Sequence, residues 1–168
     1  MGGREGAKPL RALELLVGRW TIRGRSVGAD EDNIAGESET VWSPDRSFLE
    51  QRTTLRIGED DVHALEIIGY EPGSDVFPAW VFSAGAAEPL RYRWRIEGNL
   101  LIHAGLGATF TGQLSPDRRT IRGSWRPDDA RTTAPGSAYD AVMTRVDRPT
   151  QTGPARGRLG GSRTTDGP

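Results

Sequence analysis

Three residues in this chain are the candidates for moving a proton: Glu66, Tyr92 and His103. Glu66 interrupts the run Ala64-Leu65-Glu66-Ile67-Ile68 and shares one face of it with Ala64, Ile68 and Tyr70. Turned inward, its carboxyl would be desolvated and become a proton carrier. Unpaired buried carboxylates are rare, so the expectation is that Glu66 faces water. His103 sits between Ile102 and Ala104 and is the other acid–base candidate, although a lone strand histidine is more often a hydrogen-bonded structural residue. With only two histidines, His63 and His103, no cysteine, and neither His-X-His nor His-Glu-X-X-His spacing, the chain offers no zinc site. Nucleophile elbows, phosphate loops and dinucleotide fingerprints are also absent, and no cofactor is expected.

The elements that would position these residues are strands. Residues 9–17 place Leu10, Leu13, Leu15, Leu16 and Val17 roughly on one helical face, which predicts one short amphipathic helix ended by Gly18. From Trp20 onward the period changes to two. Apolar and polar residues alternate over 20–27, 37–42, 48–57, 63–71, 79–84, 91–97, 100–105, 108–114, 120–126 and 139–146. Turn chemistry separates these segments, as at Ser43-Pro44-Asp45-Arg46, Gly98-Asn99 and Ser115-Pro116-Asp117. The spacing predicts an all-β, up-and-down antiparallel barrel of about 8–10 strands, closed because closure removes exposed edges. Residues 9–146 would form the barrel, 1–8 a flexible N-terminus and 147–168 a mildly basic, disordered tail too poor in apolar residues to offset its ordering entropy.

Arginines set the register. Arg91, Arg93 and Arg95 must face water together, which sends Tyr92, Trp94 and Ile96 inward. Glu50, Arg52, Thr54 and Arg56 likewise turn outward and leave Leu49, Gln51, Thr53, Leu55 and Ile57 inside. Gln51 and Thr53 then sit on an apolar wall, where a polar group needs a hydrogen-bonding partner or a ligand. Trp80, Phe82 and Phe110 are expected to join the lining. An aromatic wall with a few convergent polar groups is the ordinary composition of a small-molecule site. The plainer alternative is a filled core with Gln51 bonded to Tyr92.

Gly18-Arg19-Trp20 at the first strand and Thr144-Arg145-Val146 at the last resemble the lipocalin-like, or calycin, barrels. In those barrels the tryptophan of a Gly-X-Trp motif lies under an arginine of the final strand. More of the chain is similar to DUF1579, a bacterial family of lipocalin-like domains of unknown function. The matching pieces, spread over residues 10–146, include Phe48-Leu49-Glu50-Gln51-Arg52, Ile67-Ile68-Gly69-Tyr70, Phe110-Thr111-Gly112 and Thr120-Ile121-Arg122-Gly123-Ser124-Trp125. The resemblance implies a barrel with a structural contact between Trp20 and Arg145. Haem-binding barrels of similar start need a histidine on a late strand, and residues 139–146 contain none, which leaves only His103 or His63.

A net charge of −1 gives no field to gather nucleic acid, and no run of about 18 apolar residues could cross a membrane. Absence of cysteine and of an apolar signal core suits a cytoplasmic protein. The expected function is binding of a small, mostly apolar molecule within the barrel; the alternative is a cofactor-independent cyclase or isomerase acting there on a polyketide-like molecule. Oligomeric state is open at this level.

Overall fold

The computed structural model describes residues 10–129, 131 and 138–146. Ten strands follow one another: β1 (Gly18–Ser26), β2 (Ile34–Trp42), β3 (Leu49–Ile57), β4 (Asp60–Ile68), β5 (Val76–Ser83), β6 (Leu90–Glu97), β7 (Leu100–Gly105), β8 (Ala108–Leu114), β9 (Thr120–Pro127) and β10 (Tyr139–Val146). Each pairs antiparallel with its neighbour in sequence, and β1 also pairs with β10, so the sheet closes into an up-and-down barrel. Closure leaves no strand edge unpaired. Among the described residues no helix is long and apolar enough to cross a membrane.

One end is plugged. The segment expected as an amphipathic helix is a six-residue 3-10 turn, Arg11–Leu16, whose Leu13 and Leu16 are buried against Trp20, Leu49 and Ile68. The carbonyls at its end are served by side chains of β1 and β10. Trp20 Nε1–H donates to Leu16 O at 3.0 Å, and the Arg145 guanidinium donates to Leu15 O at 2.9 Å and Val17 O at 2.5 Å. Arg145 also lies 4.2 Å over the Trp20 ring, the contact that the resemblance implied. Gly18 is needed twice here: its φ is +124°, and a Cβ would lie 2.7 Å from Arg145 Nη1. The Gly-X-Trp motif is therefore the imprint of an arginine that closes the barrel.

The arginine registers hold, with Arg91, Arg93 and Arg95 exposed and Tyr92, Trp94 and Ile96 turned inward. In β5 the expectation fails. Phe77, Ala79, Val81 and Ser83 face inward, while Trp80 is half-buried on the outer surface and Phe82 is 48% exposed. Register explains this, because Trp80 pairs with Ile67 and Phe82 with Leu65, both on the outward face of β4. Two adjacent strands thus carry apolar residues on both faces, and side-chain size cannot reveal which face is inside. Trp80 packs instead over Gly69, where a Cβ would lie 3.6 Å from its ring.

Candidate functional site

Above the plug the barrel is not filled. A cavity of about 330 Å³ runs up its interior, walled mainly by apolar side chains. Gln51 and Thr53 of β3, Tyr92 and Trp94 of β6, and Phe110 of β8 line it, in company with Glu66 and His103. Trp80 and Phe82 do not, since they lie outside the barrel. His63 also points outward, with Nδ1 3.4 Å from Thr54 Oγ1.

Register assembles an aromatic wall. Trp94 pairs with His103, His103 with Phe110, Phe110 with Trp125 and Trp125 with Tyr139, so five strands from β6 to β10 contribute one ring each to a single row. His103 stacks on Trp94 with centroids 4.1 Å apart and planes 8° from parallel, and meets Trp125 edge-on at 5.7 Å. Tyr92 lies on the next row with its ring centroid 4.9 Å from that of His103. Gly105 makes room for it, because a Cβ there would fall 2.3 Å from the Tyr92 ring.

Beside this wall, β4 supplies Glu66, which is 4% exposed rather than solvated as its sequence context suggested. The rarity of buried carboxylates applies to unpaired ones. Glu66 Oε1 accepts a hydrogen bond from Trp94 Nε1 at 3.0 Å and lies 2.9 Å from His103 Nε2. Indole nitrogen only donates, which makes Oε1 an acceptor, and an ionised carboxylate accepts from both groups at once. In the neutral imidazole that geometry puts the proton of His103 on Nε2 and the lone pair on Nδ1, which has no protein partner among the described residues.

The remaining polar groups divide into satisfied and unsatisfied. Gln51 Nε2 donates to Thr40 Oγ1 at 2.9 Å, so the alternative bond between Gln51 and Tyr92 is not formed. Ser38 Oγ is buried, faces the cavity and has no hydrogen-bond partner among the described residues. An orphaned hydroxyl of this kind is uncommon in a packed interior and leaves a donor and acceptor for whatever enters. Sequence reasoning missed Ser38, Trp125 and Tyr139 as lining residues. The alternations Ser38-Thr40-Trp42 and Ile121-Gly123-Trp125 carried the signal for the first two.

Burial raises the Tyr92 hydroxyl above the ordinary phenol range, and the negative charge of Glu66 raises it further. Tyr139 is pushed up to about 12, first by burial and then by Tyr92. Both therefore remain hydrogen-bond donors at neutral pH. The linkage has a definite sign. As pH rises through about 10 the unfolded chain ionises Tyr139 while the folded one does not, so stability is fully present below 10 and falls until about 12. We expect the Tyr139 contribution to this loss to be on the order of 2 kcal/mol. Urea midpoints at pH 9 and 11.5 will show it, and Tyr139→Phe should remove that part of the decline.

Among the described residues no group of three or more His, Asp or Glu could hold a metal ion. The arrangement can accept an apolar molecule, give it a hydrogen bond and hold an imidazole beside it. No model of a known protein family matches this chain, and no curated protein matches it at a significant level.

Proposed function

We propose that the barrel binds a small, mostly apolar molecule in its lumen, against the aromatic wall, with a polar handle that pairs with Ser38 or Tyr92. One observation carries this reading: a cavity of about 330 Å³ inside the barrel whose lining is largely apolar yet includes Ser38, with its buried, unpartnered hydroxyl. Such a volume falls at the lower end of the roughly 300–1,000 Å³ typical of small-molecule pockets and suits a molecule of two or three rings. The closed antiparallel barrel is consistent with the resemblance to calycin-like barrels, which concerns the fold. A second reading, a cofactor-independent cyclase or isomerase acting on a polyketide-like molecule, is favoured by the Glu66–His103 pair.

The test uses N-phenyl-1-naphthylamine, a neutral apolar dye of suitable size. Expected is saturable binding of one dye per chain with quenching of tryptophan fluorescence. Trp94→Ala combined with Gln51→Ala should abolish the quenching. Val81→Trp, which adds bulk to a lining position beside Glu66, should weaken binding at least tenfold. Dye binding that is absent from the native protein, or indifferent to Val81→Trp, would refute the lumen as the site.

A further inference from the structure

We infer that His103 is a general base that removes a proton from carbon, and that the molecule taken into the lumen is a neutral, apolar carbonyl compound with an acidic α C–H. This rests on the lumen-binding reading and assigns it a reaction. Four observations converge. The imidazole is clamped, stacked on Trp94 at 4.1 Å and met edge-on by Trp125 at 5.7 Å, on strands rather than loops. Positioning of that kind is what a base needs to attack one bond reproducibly. Its Nε2 is held 2.9 Å from the Glu66 carboxylate, so in the neutral ring the lone pair belongs to Nδ1, and Nδ1 has no protein partner among the described residues. A ring fixed in one tautomer by a carboxylate, with the other nitrogen unengaged beside a cavity, is the arrangement by which histidine bases are oriented and their imidazolium form stabilised.

The third observation is a donor for the opposite charge. Tyr92, ring centroid 4.9 Å from that of His103, lines the same cavity and keeps its phenolic proton because of burial and the Glu66 charge. The fourth concerns what is missing from the lining. Glu66, Tyr92, Tyr139 and His103 are its titratable groups, and no arginine or lysine is among the described residues that line it. A carboxylate or phosphate on the substrate would meet Glu66 with no cation to offset it, so the substrate is neutral.

The step balances without a co-reactant. The α C–H bond breaks, its proton passes to His103 Nδ1, and the electron pair moves onto the carbonyl oxygen to give an enolate that accepts a hydrogen bond from Tyr92. The imidazolium lies against Glu66 and returns the proton to a carbon conjugated with the enolate, which releases an isomer. His103 and Tyr92 are the catalytic residues and Glu66 a positioning residue.

The probe for this chemistry is 5-nitrobenzisoxazole, a neutral bicyclic molecule. A base that removes its C3 proton breaks the N–O bond and yields a nitrile and a phenolate, read by absorbance. The native protein should show saturable turnover that rises with pH along the titration of a single base. His103→Ala and His103→Phe should each lower the rate at least 100-fold, in keeping with the contribution of a positioned base. Glu66→Gln should lower it about tenfold and displace the pH profile, a change that loss of packing alone does not produce. N-phenyl-1-naphthylamine binding, measured on each protein, verifies that the lumen is intact. Dye binding without turnover, or turnover that survives both His103 substitutions, overturns the inference and leaves the binding reading standing. Absence of both dye binding and turnover overturns both.

Discussion

Arg145→Ala is expected to lower the midpoint of thermal unfolding by about 10 °C. The side chain is the tie between the last strand and the plug. Its guanidinium donates to Arg118 O at 3.0 Å, Leu15 O at 2.9 Å and Val17 O at 2.5 Å, and stacks 4.2 Å over Trp20, which is 1% exposed. Hydrogen bonds from a charged donor contribute roughly 1.5–3 kcal/mol each when fully buried, and the stacking about 0.5–2. Arg145 is only partly buried, and water can reach some of the vacated carbonyls, so the sum is discounted to about 3 kcal/mol. For a chain of this size each kcal/mol is worth roughly 2–4 °C. Arg145→Lys should recover less than half, because an ammonium cannot span three carbonyls in one plane. Differential scanning calorimetry measures both. A shift under about 3 °C would mean that burial of Leu13 and Leu16 holds the plug without the arginine.

The closed barrel was legible because its evidence is local. Twofold alternation and turn residues between segments both act over a few residues, and the one long-range pairing, Trp20 with Arg145, came from the resemblance. Facing was legible wherever charge marked one side, as Arg91, Arg93 and Arg95 do in β6 and Arg52 and Arg56 in β3. It was not legible in β5, where Trp80 and Phe82 lie outside with Ile67 and Leu65 beside them. Burial was misjudged for Glu66 on different grounds. Its solvation depends on Trp94 and His103, 28 and 37 residues further on, and such partners are invisible until the sheet closes. The same applies to Ser38, whose lack of a partner is a property of the assembled lumen.

Glu66 gives a second large effect, and three substitutions separate its causes. Glu66→Ala should destabilise the protein by about 3 kcal/mol in urea unfolding. The indole N–H of Trp94, 6% exposed, and the Nε2–H of His103 would lose their acceptor, and an unsatisfied buried donor costs roughly 1–3 kcal/mol. A second contribution comes from the volume vacated, but the site adjoins the lumen, where water can enter and partly serve both donors. The full 3–5 kcal/mol for breaking a buried ion pair is therefore not expected. Glu66→Met fills the space and removes the acceptor, so it isolates the hydrogen-bond cost, expected at about 2 kcal/mol. Glu66→Gln retains an amide oxygen for both donors and should cost less than about 1 kcal/mol. The order Ala, Met, Gln from most to least destabilised identifies the carboxylate as the acceptor that organises Trp94 and His103. Equal cost for Met and Gln would show instead that filled volume is what the position requires.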